Sequence, residues 1–408
     1  MRLRNWITLA PPFLKCVAKL PASHLWYLAK QCKNENPHYH NGRLYLNTFF
    51  PPYPSKAFDR FLDAVIHRRR IPYSAYFAVT DKCPFNCPHC SYGRHKKGSL
   101  DTVCALDVIK QIKSLGTVTI GFTGGEPLLR DDIVRLVASA GADTQTIIFT
   151  TGHRLNKKLA ADLRHAGLGC IMIGIESDDP KEHDDARGVS GSFDEAIKAI
   201  SMSLEAGLYT AISTVATQSK IAGGQIPRLA HLAEKYGVHE LRILEPIPTG
   251  ASYGRKDEIL DPSQSKQLAD FHAQWNRKNI GPAVSSFSYL ESDEMFGCGA
   301  GFHHLFIDAL ANVCPCDLTP LAFGNLLEEP LEDIWRRMGQ VFDLPRCRCL
   351  MKDICTRTPA LGSTGELPLT VQQSLALCSP AAGQRSLPKI YRNLFRHRKP
   401  VSPPLNQP

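Results

Sequence analysis

The sequence lacks an apolar run long enough to cross a bilayer, so a membrane-spanning protein is not expected. A secretory signal is not expected either, because Pro11 and Pro12 interrupt the one basic and apolar stretch near the start. The formal net charge is +9, yet there is no nucleic-acid-binding module and no aromatic stripe that would stack bases. Much of the excess lies in short basic runs, residues 67–70 and 391–399, which usually form solvated faces. We therefore expect no nucleic-acid partner.

A disulfide framework is also missing, although the chain of 408 residues has 14 cysteines. The thiols fall at spacings typical of metal ligands, which favours a reducing, cytoplasmic setting. The first twenty residues place basic side chains among apolar ones such as Phe13, Leu14 and Val17. We expect this segment to pack against the main domain, with peripheral membrane contact as the alternative.

Three thiols lie within eight residues at Cys83, Cys87 and Cys90. Pro84 and Pro88 favour a looped backbone between them, so that the three sulfurs can point at one centre. A structural zinc site usually takes four protein ligands, whereas a cubane iron-sulfur cluster with three thiolates keeps one iron open to a small molecule. A zinc knuckle and a chance run of cysteines are the alternatives for this segment.

From residue 74 onward, apolar strand patterns alternate with helical patterns. Six strands are predicted, at 75–79, 117–122, 146–149, 170–175, 211–215 and 240–244. Such alternation predicts a parallel sheet with right-handed crossovers, in which the carboxyl ends of the strands form the active site. We therefore predict an α/β fold with a partial (β/α)6 TIM-like barrel over 74–285. An irregular, partly helical lead-in covers 1–73, a small cluster-binding extension covers 286–380, and a basic, proline-containing tail covers 381–408.

Polar motifs follow the predicted strands. Gly124-Gly125-Glu126-Pro127 follows the second, where adjacent glycines allow close approach of the backbone and Glu126 presents a carboxylate. Later strands lead into three further sets of candidate site residues, which are Thr151, then Glu176 and Ser177, and then Arg187. All of these positions are expected at one rim of the barrel.

The spacing Cys-x3-Cys-x2-Cys and the Gly-Gly-Glu-Pro segment resemble the motifs of the radical S-adenosylmethionine (radical SAM) superfamily. The resemblance implies that Cys83, Cys87 and Cys90 hold a [4Fe-4S] cluster with one open iron, which chelates S-adenosylmethionine (SAM). It also implies cofactor contacts at Gly124, Gly125, Glu126, Pro127, Thr151, Glu176, Ser177 and Arg187. Glu176 is assigned to the ribose, with a substrate contact as the alternative. Arg187 either binds a carboxylate or is a surface residue held by Asp184 or Asp185.

Cysteines return after residue 297, in a pattern that resembles the twitch or SPASM extension of the same superfamily. The resemblance implies at least one auxiliary [4Fe-4S] cluster, with Cys298, Cys316 and two of Cys347, Cys349 and Cys355 as candidate ligands, and a zinc site is the alternative. Ala311 occupies the position where the family pattern has a glycine, so we expect a strained or rerouted hairpin turn there.

The implied function is reductive cleavage of SAM to a 5′-deoxyadenosyl radical, which takes a hydrogen atom from a substrate. Net oxidation or modification of a peptide is the favoured interpretation, with an electron donor such as ferredoxin or flavodoxin. A lipid, isoprenoid or tetrapyrrole substrate is the alternative, and a non-catalytic iron-sulfur or zinc protein is the alternative of another class. No residue is assigned as a catalytic acid or base.

Overall fold

The computed structural model describes residues 3–17, 19–360, 365–378 and 386–395. Most of the predicted tail, at 381–385 and 396–408, therefore lies outside the described residues. The strands in chain order are β1 His38–His40, β2 Arg43–Tyr45, β3 Ser74–Thr80, β4 Thr119–Gly124, β5 Gln145–Thr150, β6 Cys170–Gly174, β7 Tyr209–Val215, β8 Glu240–Leu244, β9 Ala283–Ser286, β10 His304–Ile307, β11 Asn312–Cys314 and β12 Gly324–Asn325.

The helices accompany these strands and cover their outer face. In chain order they are α1 Leu3–Val17, α2 Ala22–Cys32, α3 Lys56–His67, α4 Thr102–Ser114, α5 Ile133–Ala140, α6 Lys157–His165, α7 Pro180–Arg187, α8 Ser192–Glu205, α9 Gln218–Ala222, α10 Gln225–Lys235, α11 Pro262–Arg277, α12 Phe287–Leu290, α13 Leu331–Val341, α14 Leu350–Ile354, α15 Val371–Cys378 and α16 Lys389–Leu394.

Ten strands form one sheet in the order β12-β11-β10-β3-β4-β5-β6-β7-β8-β9. The six predicted strands are β3 to β8, and all their pairings are parallel. The sheet has two edges, β12 and β9, so the barrel is open. The prediction of an α/β fold with a partial barrel is confirmed.

Two further parallel strands escaped the sequence analysis. β9 pairs with β8, and β10 pairs with β3 on the other side of the barrel. Both have only four residues, and β9 ends in Ser285 and Ser286, so neither gives a clear apolar pattern. Because β10 and β11 form an antiparallel hairpin, the cysteine-rich extension continues the barrel sheet directly.

Alternation along the strands separates the helix-facing core from the barrel interior. In β3, Ala75, Phe77 and Val79 belong to the large apolar core shared with the surrounding helices. Tyr76 points the other way and contacts Phe149 of β5, with 4.8 Å between the ring centroids. The interior of the barrel is therefore lined by a different set of side chains from the core.

The N-terminal region is more regular than predicted. Ser55 caps α3 by accepting a hydrogen bond from Phe58 N. α1 and α2 precede it, and α1 continues through Pro11 and Pro12. α16 packs with α2 and adds Ile390, Tyr391 and Leu394 to a small apolar cluster there. Within the described residues, no helix combines the length and apolarity needed to span a membrane.

Candidate active site and cluster-binding residues

The three-cysteine loop begins directly after β3. Residues 81–100 contain no helix, and Cys83 is exposed while Cys87 and Cys90 are half-buried. Burial, together with the nearby charges of Glu126, Cys90 and Cys87, raises the pKa of Cys83 to about 11. The three predicted thiols thus lie on one loop, and Glu126 N donates to Lys82 O of this loop at 2.7 Å.

The backbone of the Gly-Gly-Glu segment forms hydrogen bonds with the chain at the start of this loop. Gly125 N donates to Thr80 O at 2.8 Å, and Glu126 N donates to Lys82 O at 2.7 Å. A Cβ at Gly124 would lie 2.3 Å from Thr80 O, and Gly124 has a φ of +127°. Only glycine allows the two segments to approach this closely.

A second segment, after β8, holds the other end of the loop. Ala251 N donates to Cys90 O at 2.8 Å, and Ser252 Oγ donates to Pro88 O at 3.1 Å. A Cβ at Gly250 would lie 2.2 Å from Cys90 O, so glycine is needed here too. The sequence places this strand end at the adenine or the substrate but indicates no contact with the loop, because these contacts span about 160 residues of chain.

Glu126 is fully buried and directs its carboxylate along the rim. One oxygen accepts from Leu128 N at 3.1 Å and Thr150 Oγ1 at 2.6 Å, and the other accepts from Thr151 N at 2.8 Å and Thr151 Oγ1 at 2.6 Å. Burial raises the pKa of Glu126 and these hydrogen bonds oppose the rise. Four acceptor positions are thus used within the protein, and the expected contact of Glu126 with the amino group of SAM stays a prediction.

The other predicted polar residues meet in a buried ion network. The Glu176 carboxylate lies 3.2 Å from His89 Nε2, 3.1 Å from Arg187 Nη2 and 2.7 Å from Lys220 Nζ. Arg187 Nη1 also donates to Cys87 Sγ at 3.5 Å. Burial raises the pKa of Glu176, but the contacts with His89, Lys220 and Arg187 outweigh it and hold that pKa well below its usual range. The network ties the cysteine loop to the fourth predicted strand.

The surface alternative for Arg187 is wrong, because its side chain is only 9% exposed and pairs with Glu176. Asp184 instead accepts from Gly191 N, and Asp185 pairs with Lys181. Sequence reasoning missed Lys220, which reaches Glu176 from α9 and lacks any motif that marks it.

Ser177 and Pro127 lie next to the rim with structural contacts of their own. The Ser177 hydroxyl donates to Glu182 at 2.7 Å and accepts from Gln225 at 2.5 Å. Pro127 opens a short 3₁₀ turn that continues to Leu129. Their assignments to the cofactor remain predictions.

The second group of thiols consists of Cys298, Cys316 and Cys349. The hydrogen bond with Cys298, followed by burial, raises the pKa of Cys349 well above its usual range. Burial, then Asp317 and Glu291, and to a smaller extent Cys349 raise the pKa of Cys316 in the same direction. Cys298, Cys316 and Cys349 also line one cavity, and Cys298 is buried while the other two are half-buried. Such a site suits thiolate ligands once a cluster neutralises them.

The remaining auxiliary candidates point elsewhere. Cys347 Sγ donates to Ser386 O at 2.9 Å, and Cys355 Sγ donates to Lys352 O at 3.7 Å. Cys355 also belongs to the apolar core. The sequence analysis expected two of Cys347, Cys349 and Cys355 to be cluster ligands. The contacts favour only Cys349.

A histidine and an aspartate complete the auxiliary site, and both were missed. His304 Nε2 lies 3.2 Å from Asp317 Oδ1, and Cys316 Sγ lies 3.5 Å from the same oxygen. His304, Cys316 and Asp317 form the one group of metal-ligand atoms within 4.8 Å of one another in the described chain. His304 lies on β10, which had not been predicted as a strand.

Comparisons with known proteins agree with this geometry. The model of the radical SAM superfamily matches residues 77–217, and the model of the SPASM iron-sulfur cluster-binding domain matches residues 298–355. The chain therefore contains a radical SAM domain and a SPASM domain. It is a radical SAM enzyme with a SPASM domain. Its cofactors are a [4Fe-4S] cluster, SAM and auxiliary iron-sulfur clusters.

Relatives cover most of the chain at modest identity. AdoMet-dependent heme synthase of Nitratidesulfovibrio vulgaris is 24% identical over 285 residues, which are 64% of this chain and 77% of that protein. Mycofactocin maturase MftC of Mycobacterium ulcerans is 29% identical over 298 residues, or 69% of this chain and 79% of that protein. The structure of Streptococcus suis SuiB bound to precursor peptide SuiA has a TM-score of 0.58 at 17% identity and covers 77% of this chain and 79% of that one, which supports the fold.

Proposed function

We propose that this enzyme cleaves SAM reductively at the Cys83–Cys87–Cys90 loop and removes a hydrogen atom from a substrate inside the barrel. The observation that carries the proposal is the backbone contact between the Gly-Gly-Glu segment and that loop, with Glu126 N 2.7 Å from Lys82 O. This contact fixes both predicted cofactor-binding motifs at the carboxyl ends of neighbouring parallel strands, where active sites of such folds form.

Residues of the protein would bind the cluster and orient its ligands and the substrate. Cys83, Cys87 and Cys90 would hold the cluster, which when bound supplies the electron that converts SAM to methionine and a 5′-deoxyadenosyl radical. Arg187 donates to Cys87 Sγ and fixes that ligand relative to Glu176. The barrel wall keeps water away from the radical and positions one C–H bond of the substrate.

Net oxidation removes a hydrogen atom and then one further electron and a proton from the substrate. The hydrogen atom leaves in 5′-deoxyadenosine, and an auxiliary cluster held by Cys298, Cys316 and Cys349 would supply the acceptor for the second electron. We propose that ferredoxin or flavodoxin, both one-electron carriers, delivers the first electron.

The substrate class separates two candidate functions. A peptide substrate is supported by SuiB, whose structure contains a precursor peptide. An apolar substrate is supported by the apolar lining of a cavity between the barrel interior and the N-terminal helices.

Formation of 5′-deoxyadenosine tests the proposed reaction. Anaerobically reconstituted protein, reduced with dithionite, should convert SAM to 5′-deoxyadenosine even without substrate. Cys87→Ala should abolish this while the absorbance of the auxiliary cluster remains, and Cys104→Ala on α4 is the matched control that keeps both. Equal product from Cys87→Ala and the unmodified protein would contradict the proposal, as would protein that holds zinc and no sulfide.

A further inference from the structure

A cavity of about 550 Å³ connects the barrel interior with the N-terminal helices. Its outer part is lined by apolar side chains of four helices, which include Leu9 and Phe13 of α1, Leu28 of α2, Leu62 of α3 and Leu394 of α16. This volume lies in the range of cavities that enclose a small-molecule ligand. The lining favours a ligand with a long apolar part over a peptide, whose backbone would need hydrogen-bond partners.

The inner part of the cavity reaches the reaction centre. Thr123, one residue before Gly124, lines it, as do Cys316 and Cys349 of the auxiliary site. A ligand in this cavity would therefore extend from the N-terminal helices to the place where the hydrogen atom is removed. The cavity therefore reaches the auxiliary thiols and adjoins the Gly-Gly-Glu segment of the proposed active site.

One cationic side chain in the inner part keeps a donor without a partner among the described residues. Arg242 is 2% exposed, and its Nε has no hydrogen-bond partner there. Its Nη1 donates to Tyr76 Oη at 3.2 Å, and its Nη2 donates to Thr48 Oγ1, which donates to the buried carboxylate of Glu240 at 2.6 Å. No carboxylate of the described residues forms a direct ion pair with this guanidinium, and the free Nε–H therefore offers a donor to an oxyanion of a ligand.

The outer end of the cavity opens on an unusually apolar surface. Four of the eight large apolar side chains that are exposed in the described residues lie on α1 and α2, namely Phe13, Leu14, Val17 and Trp26. Leu14 and Val17 share one face of α1, because they are three residues apart. Phe13 both lines the cavity and is 40% exposed, which places it at the mouth.

Basic side chains accompany this surface. Lys15 is 66% exposed, and Lys30 Nζ stands 5.8 Å from the Trp26 ring centroid. A helix with exposed apolar side chains and flanking lysines is typical of segments that lie in the interface of an anionic membrane. The surface of α1 and α2 at the outer end suits the apolar chain of an amphiphile that leaves a membrane there. Arg242 at the inner end suits its head group.

We infer that the substrate is an amphiphile with one apolar chain, which enters from a membrane surface at Phe13 and places an oxyanion head against Arg242. The inference rests on the proposed radical SAM reaction for its chemistry, but the binding it describes does not require that reaction. Palmitate therefore serves as the probe of the cavity. Vesicles of phosphatidylcholine with phosphatidylglycerol probe the surface.

The membrane surface is tested with Leu14→Ser/Val17→Ser in the full-length protein. We expect vesicle affinity to fall at least tenfold, because two large apolar side chains leave the interface. The matched control is Val103→Ser/Ile280→Ser, which removes two equally exposed apolar side chains from other surfaces and should leave vesicle affinity unchanged. An equal loss in both variants, or no binding of the unmodified protein to vesicles, would overturn the inference.

The cavity is tested by palmitate binding in equilibrium dialysis. Leu28→Trp should lower the affinity at least tenfold by filling the outer part. Arg242→Met should lower the affinity for palmitate about tenfold and leave that for 1-hexadecanol, which lacks the carboxylate, nearly unchanged. Equal loss for both probes would overturn the contact with Arg242, and stoichiometric binding of palmitate to Leu28→Trp would overturn the route through the cavity.

Formation of 5′-deoxyadenosine in the absence of substrate distinguishes a failure of the binding inference from a failure of the proposed function. Leu14→Ser/Val17→Ser should retain it, which shows that the variant is folded and that the loss of vesicle binding is local. If the unmodified protein binds palmitate and vesicles but does not cleave SAM, the proposed function fails and the binding inference stands. If it cleaves SAM but binds neither probe, only the inference fails.

Discussion

Gly125 packs against the Lys82 carbonyl so closely that a Cβ atom on Gly125 would lie 2.2 Å from that oxygen. The contact joins two motifs that are at least 34 residues apart in the sequence, the three-cysteine loop and the Gly-Gly-Glu segment. Gly125→Ala should push the loop away from the rim, since a Cβ this close to backbone atoms requires the backbone to shift. We expect loss of the SAM-cleaving cluster and of 5′-deoxyadenosine formation, measured by iron content and product analysis.

Gly223→Ala is the control for this substitution. Gly223 has a φ of −79°, and a Cβ there would lie 3.2 Å from Ser219 O, so the change is mild. It should retain cluster and activity. A Gly125→Ala protein with full iron content and unchanged SAM cleavage would contradict the structural role assigned to this glycine.

The rim motifs were predictable because each one is local in sequence. Cys83, Cys87 and Cys90 fall within one loop, and Gly124 to Glu126 follow one strand, so spacing alone indicates them. Lys220 was not predictable, because it reaches Glu176 across 44 residues and only the packing of α9 beside β6 brings them together. Arg242 was hidden for a similar reason. A basic residue in a strand gives no sign that one of its donors lacks a partner.

The auxiliary site predicts a difference between two cysteines that the sequence could not distinguish. Cys349 shares a hydrogen bond with Cys298, whereas Cys355 donates to the Lys352 carbonyl within the apolar core. Cys349→Ser should therefore lower the iron and sulfide content by one cluster, and Cys355→Ser should not. Iron, sulfide and electron paramagnetic resonance measurements on both variants in a Cys87→Ala background isolate the auxiliary signal. The reverse order of effects would show that the ligands come from another set.

A group of histidines under the barrel predicts a dependence of stability on pH. His239 stacks on Tyr209 with 4.8 Å between ring centroids, and its Nδ1 accepts from Thr210 N at 3.1 Å. Burial, with His40 and His38 nearby, lowers the pKa of His239 to about 4. The unfolded chain, with a pKa near 6.5, takes up a proton that the folded chain excludes. The stabilisation is therefore complete above pH 6.5 and is lost as the pH falls towards 4.

His239→Gln should remove about 1 kcal/mol of the stability lost between pH 7 and pH 5.5, because glutamine does not titrate there. The measurement is the free energy of unfolding from urea titrations at both values. His165→Gln, at an exposed position on α6, is the control. If both variants keep the full pH dependence of the unmodified protein, the buried histidine is not its source.

The hairpin between β10 and β11 shows a glycine position that is filled by another residue. Sequence analysis expected a strained or rerouted turn at Ala311, and the structure has the turn in place with Ala311 at a φ of +69°. Asp308 holds it, since Oδ1 accepts from Leu310 N at 2.9 Å and from Asn312 N at 2.8 Å. The left-handed conformation costs an alanine about 1–2 kcal/mol. These side-chain contacts offset the strain.

Ala311→Gly should therefore cost about 1–2 kcal/mol less stability than Ala309→Gly, because only the change at Ala311 relieves left-handed backbone strain. Ala309 and Ala311 are both buried, so each change removes a buried methyl group and frees the unfolded backbone to a similar degree. Urea unfolding of the two variants measures this difference. Equal losses of stability would mean that the turn carries no strain at Ala311, and a smaller loss at Ala311 would establish that the hairpin keeps its turn at the expense of backbone strain.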